Sequence, residues 1–198
     1  HDEADEESIL STFDSLTNAW FTDYQKMVIH DVSMDLRSNK HVCILGPKGC
    51  GKSYMLNEIV SRFNAQNGAE QEGNGNLSRM STIRIMPLYQ EMTARDLLQR
   101  RSTANTSSDS SEGQKDNFSS TTWQDSPLIK AAKNGDICVL DGIDRIDPHS
   151  LFVLRRLMQD HEIELPSGDK LQIYAEDESL RLHPNFRVIA LGLPPVRP

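Results

Sequence analysis

An apolar run closing on a glycine-rich octet constrains this chain more than any other feature: Val42-Cys-Ile-Leu45 leads directly into Gly46-Pro-Lys-Gly-Cys-Gly-Lys-Ser53. The octet matches G-x-x-x-x-G-K-[ST] at every fixed position. Four continuous apolar residues before a glycine fit a buried parallel strand. Beyond the octet, Met55, Leu56, Ile59, Val60 and Phe63 recur at helical spacing, which predicts a helix from Lys52 to about Asn64. Strand, glycine loop and helix in that order form a cradle for phosphate. Glycines let the backbone N–H groups of about Gly49 to Ser53 curl around phosphate oxygens at the positive end of a helix. Lys52 would set a point charge on the β and γ phosphates, and the Ser53 hydroxyl would ligate Mg²⁺. The candidate nucleotide-binding set is Gly46, Pro47, Lys48, Gly49, Cys50, Gly51, Lys52 and Ser53. The bland alternative is a glycine turn that binds nothing; agreement between the motif and its flanking elements argues against it.

Ile137-Cys-Val-Leu140 predicts a second buried strand, and it closes on Asp141. A carboxylate at the end of a neighbouring strand can hold Mg²⁺ together with Ser53. The next position breaks the hydrolytic pattern. An ATPase of this kind follows that Asp with a Glu that polarises the attacking water, and here Gly142 has no side chain to do so. Losing a general base costs about 10²–10⁴-fold in rate. Asp144 is the nearest spare carboxylate and the candidate substitute, though capping or pairing with Arg145 is its simpler role. Trp20 and Trp123 read as packing residues, with Trp20 or Phe21 as the alternative approach to an adenine ring. The six histidines show no metal-ligand spacing. Cys43, Cys50 and Cys138 are too few and scattered for a disulfide framework or a zinc site, and Cys43 and Cys138 read as small hydrophobes.

The 198 residues suit one domain. With 21 Lys+Arg against 29 Asp+Glu the net charge is −8, which argues against non-specific binding to nucleic acid or to an anionic membrane. No apolar run approaches the roughly 20 residues of a membrane span. Acidic residues crowd the start, so residues 1–19 are expected to be a mobile segment ahead of a nucleotide-binding core at 20–198. Thr22-Asp-Tyr-Gln25 has the form of a capping box for a helix over 23–38. Disordered polar inserts are expected at 65–80 and 101–122. Between and after them come a strand at 82–88 and a short helix from Thr93 through Arg100. A helix opened by Ser126-Pro127 and ended by Gly135 follows. Asp147-Pro148 opens another helix, bearing Leu151, Leu154, Leu157 and Met158. A β-hairpin at 162–174 and a last strand at 186–191 complete the pattern. The alternation predicts an α/β fold with four parallel core strands in the order they appear, plus the hairpin.

Four stretches together resemble the AAA+ ATPases of the MoxR and dynein-related group: GPKGCGKS, PLYQEMTARDLLQRR, WQDSPLIKAAKNGDICVLDGIDRI and HPNFRVIALGLPP. The resemblance covers about residues 20–195 apart from the inserts. MTARDLL and LDGIDRI are its more specific parts, and they look like a module of a large mitochondrial multi-module ATPase. The resemblance implies a three-layer αβα P-loop NTPase core, the AAA+ large subdomain, with the hairpin as an insertion. It also implies a chain that stops before the last strand and helical lid. Lys52 and Ser53 become the phosphate-loop pair and Asp141 the magnesium carboxylate, with ATP or ADP and Mg²⁺ as cofactors. Implied partners are neighbouring AAA+ modules of the same chain or a ring-like oligomer, and the implied location is mitochondrial. The pattern breaks at Gly142, where the catalytic Glu belongs, and at Leu193, roughly where the group carries a polar sensor residue. Arg197 and the other arginines are not assignable as fingers acting on a neighbouring site. Two departures at hydrolysis positions and none at binding positions point to a module that holds nucleotide and turns it over poorly. Three rivals stay open. One is a working ATPase using Asp144 or a residue from a neighbouring module, another a scaffold with a vestigial loop, and the more remote a small-molecule kinase.

Overall fold

The computed structural model describes residues 20–69, 81–104 and 120–195. The acidic segment 1–19, most of the first insert, the middle of the second and Arg197 lie outside the described residues. The described chain forms two compact units, one of residues 20–40 with 49–69, the other of 41–48 with 81–104 and 120–195.

The first unit is a pair of helices. Helix α1 (Asp23–Arg37) begins at the predicted capping box: the Thr22 hydroxyl accepts the Gln25 N–H, and the Gln25 side chain accepts the Thr22 N–H. Such a box satisfies two of the donors that a helix start leaves orphaned. Ile29, Val32 and Leu36 are buried along it at spacings of three and four. Helix α2 (Lys52–Ala69) buries Met55, Leu56, Ile59, Val60 and Phe63, the predicted face, and packs against α1. Full burial of each such side chain contributes about 1.5–3 kcal/mol. The α2 backbone stays helical beyond Asn64, into the polar stretch expected to lack structure.

The second unit is built on a parallel sheet of β1 (Val42–Leu45), β2 (Ile83–Pro87), β5 (Ile137–Asp141) and β8 (Arg187–Gly192). Its spatial order is β1-β8-β5-β2, not the order of appearance expected from the sequence. The last strand enters the middle, between the first and third. Which strands pair is set by long-range hydrogen bonds that no local pattern encodes. The register sets Asp141 beside Pro87 on one side and Leu191 on the other. Helix α3 (Ala94–Leu98) is shorter than predicted, because Gln99 turns to an extended conformation and pairs with Asp125. That pair opens an antiparallel ribbon of β3 (Gln99–Ala104) and β4 (Ser120–Asp125). The insert expected over 101–122 is therefore structured at both ends, since each end can satisfy its backbone on the other.

Helix α4 (Pro127–Asn134) has the predicted Ser126 cap and ends at Gly135. It lies against β2 and β5, burying Leu128, Ile129, Ala131 and Ala132 completely. The single helix expected after Pro148 is broken into α5 (Pro148–Leu151) and α6 (Leu154–Gln159). Here Phe152 donates to the His149 carbonyl and Arg155 to the Phe152 carbonyl, the i→i+3 pattern of a tightened turn. The hairpin forms as β6 (Glu162–Glu164) and β7 (Lys170–Gln172). Beneath β2 and β5, Asp136 is buried; its carboxylate accepts from Arg84 Nε at 2.6 Å and from the Thr82 N–H at 3.1 Å. Burial pushes this carboxyl up, but the Thr82 and Arg84 hydrogen bonds outweigh it and hold it below the usual carboxylate range. Cys138 is buried as predicted, which pushes its thiol up to about 12; Cys43 is exposed instead.

Candidate nucleotide-binding site

The chain passes from the second unit to the first at Lys48–Gly49, inside the octet, so each part of the octet belongs to its own unit. In the first unit, Gly49 and Gly51 take φ of +80° and +89°, values that L side chains rarely adopt. A β-carbon at Gly51 would stand 2.9 Å from Gln25 Nε2 and would push that amide aside. That amide donates to the Cys50 carbonyl at 3.1 Å. The Met55 N–H bonds the Gly51 carbonyl at 2.9 Å and opens the first turn of α2. Lys52 is half-buried with Nζ 3.8 Å from Cys50 Sγ, and Ser53 is exposed. The Phe21 ring lies 4.9 Å from that of Tyr54, tilted by 39°. Trp20 is 78% exposed, so it does not pack as expected; Trp123 has the Arg101 guanidinium over its ring at 5.3 Å.

In the second unit, Gly46 begins the octet by donating its N–H to the Gly192 carbonyl at 3.1 Å. Asp141 ends β5 with its carboxylate half-exposed. Gly142 and Ile143 both donate to the Leu191 carbonyl, at 2.8 and 2.9 Å, and Arg145 closes the turn onto the Gly142 carbonyl at 2.9 Å. Gly142 has φ +94°. Arg145 Nη2 is 3.8 Å from Asp141 Oδ1, with both side chains about half exposed. An exposed pair at that distance contributes at most about 1 kcal/mol.

Asp144, two positions after Gly142, reaches across to the chain after β8. Its Oδ1 accepts the Leu193 N–H at 3.0 Å. Sequence reasoning had no signal for this link, which spans 49 positions of chain. It also missed the second role of Gln25, legible only as a capping-box residue. Chemically, the exposed Ser53 hydroxyl and the Asp141 carboxylate are hard oxygen donors of the kind Mg²⁺ prefers. Among the described residues no cluster of three His, Cys, Asp or Glu could hold a metal by itself.

A parallel sheet whose first strand runs through a glycine octet into a helix defines the P-loop class of nucleotide-binding folds. The chain belongs to the AAA domain family, dynein-related subfamily, whose model matches residues 41–197. The von Willebrand factor A domain-containing protein 8 of Mus musculus is 35% identical over 174 residues, 79% of this chain and 8% of that protein. The denitrification regulatory protein NirQ of Stutzerimonas stutzeri is 26% identical over 153 residues, 75% of this chain and 41% of that one. A solved structure from Cytophaga hutchinsonii, of a protein with a provisional ATPase name, matches 86% of this chain and 39% of its own with a TM-score of 0.54. At 13% identity it shares the fold alone. This chain thus spans less than half the length of these relatives. The fold is AAA+, α/β with a parallel central sheet. No helix among the described residues is long and apolar enough to cross a membrane.

Proposed function

We propose that this chain is a nucleotide-holding AAA+ module of a larger ATPase, binding ATP or ADP with Mg²⁺ and hydrolysing it poorly at its own site. One observation carries the reading. The octet is intact from Gly46 to Ser53, while the position that should present a catalytic carboxylate is Gly142, with the Arg145 guanidinium against it. Backbone N–H groups at the start of α2 and the Lys52 ammonium would hold the phosphates. Ser53 and Asp141 would hold Mg²⁺, which when bound neutralises phosphate charge. Nothing beside Asp141 takes a proton from water in this reading. Asp144 has a structural partner, its Oδ1 accepting the Leu193 N–H, and Asp144→Asn separates that task from the proton transfer the working-ATPase rival requires. Nucleotide here would stabilise the unit and its contacts to neighbouring AAA+ modules, with most turnover elsewhere in the assembly. The resemblance also proposes a mitochondrial setting, which fractionation of the full-length protein tests.

The deciding experiment is equilibrium binding of ATP with Mg²⁺ to full-length protein carrying this site as the sole intact one, with Lys52→Ala as control. Micromolar binding lost in the variant, with turnover near background, is expected. Turnover at an ordinary AAA+ rate overturns the poor-hydrolysis reading. No binding at millimolar ATP leaves a scaffold with an inherited loop.

A further inference from the structure

We propose that Gln25 is the positioning residue of the phosphate loop. By holding the Cys50 carbonyl it sets the direction of the Gly51 N–H, and with it the loop's readiness for phosphate. The proposal rests on the nucleotide-holding reading above.

A trans peptide unit is planar, with its C=O and N–H pointing in opposite directions. The Cys50 carbonyl and the Gly51 N–H are the two ends of one such unit, so whatever fixes the first aims the second. Gln25 Nε2 fixes the first at 3.1 Å. Without that tether this peptide is free to rotate, because it adjoins a glycine that tolerates either sign of φ. A loop that must be ordered as phosphate arrives binds more weakly than one ordered beforehand.

Gln25 is itself held by Thr22 at two points. Its Oε1 accepts the Thr22 N–H at 3.0 Å, and its own N–H donates to Thr22 Oγ1 at 3.3 Å. The Phe21 ring against Tyr54 fastens the segment ahead of α1 to the residue that follows Ser53. The absence of a side chain at Gly51 completes the arrangement, since a β-carbon there would meet Gln25 Nε2 at 2.9 Å. Glycine at 51 therefore serves the approach of the glutamine amide as well as the turn.

Gln25→Glu separates the two roles of this side chain. Glutamate at this position still accepts the Thr22 N–H and keeps the capping box, but it sets an acceptor against the Cys50 carbonyl. The experiment is backbone hydrogen exchange of full-length protein without nucleotide, read at Gly49–Met55 and separately along α1. Affinity for ATP with Mg²⁺ is measured in parallel, and Thr22→Ala is the variant that loosens the cap but leaves the amide donor. The expected result is faster exchange confined to the loop in Gln25→Glu and binding weakened about fivefold or more, the worth of one hydrogen bond. Thr22→Ala should leave loop exchange near wild type. Because the new charge itself repels phosphate, exchange without nucleotide decides. Unchanged loop exchange in Gln25→Glu, or a rise shared equally by all of α1, overturns the proposal. Faster loop exchange in a protein whose wild type binds no ATP supports the tether and overturns only the nucleotide-holding reading.

Discussion

The Arg145 guanidinium occupies the space that a β-carbon on Gly142 would need, with Nε 2.5 Å and Cζ 2.6 Å from that point. Together with φ +94°, this sets both crowding and backbone strain against a side chain at position 142. Gly142→Glu is expected to cost about 1–3 kcal/mol from backbone strain alone, and to leave ATP turnover at background. Adding Arg145→Ala relieves the crowding but not the strained φ, so stability should return only in part. Melting curves and steady-state turnover of the single and double variants check this; robust hydrolysis by Gly142→Glu alone would mean the turn re-forms.

Asp144 is expected to be a structural residue. Asn at this position keeps an acceptor for the Leu193 N–H, so Asp144→Asn should leave both melting and turnover unchanged. Asp144→Ala removes the acceptor and should cost about 0.5–1.5 kcal/mol. A tenfold fall in turnover in Asp144→Asn, with melting intact, would instead identify a general base.

Asp136 anchors the ends of β2 and β5 through Thr82 and Arg84. Asp136→Ala removes one partner of a largely buried ion pair and leaves the Thr82 N–H without its acceptor. The expected loss is about 3 kcal/mol, read as a lower urea midpoint with an unchanged slope.

His41 makes stability depend on pH. Burial, then the nearby Arg187 and His161 charges, push its ring down from 6.5 to about 4. Its Nδ1 accepts the Val188 N–H at 3.1 Å, while the buried Nε2 has no partner among the described residues. The ring is therefore neutral in the fold, whereas the unfolded chain protonates it near 6.5. Its contribution is fully present above pH 6.5 and is lost as pH falls toward 4, at up to about 1 kcal/mol per pH unit. His41→Gln should flatten the stability profile over that window; an unchanged slope in chemical denaturation at pH 7, 6 and 5 would exclude His41 as its source.

Local chemistry was legible in the sequence because its causes are local. The octet, the Thr22 and Ser126 caps, the glycine after Asn134 and the apolar face of α2 each act within a few residues, so their signals survive in one dimension. The same holds for Gly142: a missing side chain is visible without a fold. What only the tertiary structure decided is which distant groups meet. The entry of β8 between β1 and β5, the pairing of Gln99 with Asp125 that cuts α3 short, and the Asp144–Leu193 and Gln25–Cys50 hydrogen bonds join positions far apart in the chain. Each depends on backbone groups, which every residue carries alike. Composition and spacing therefore hold no mark of them, and only the folded geometry selects the partner.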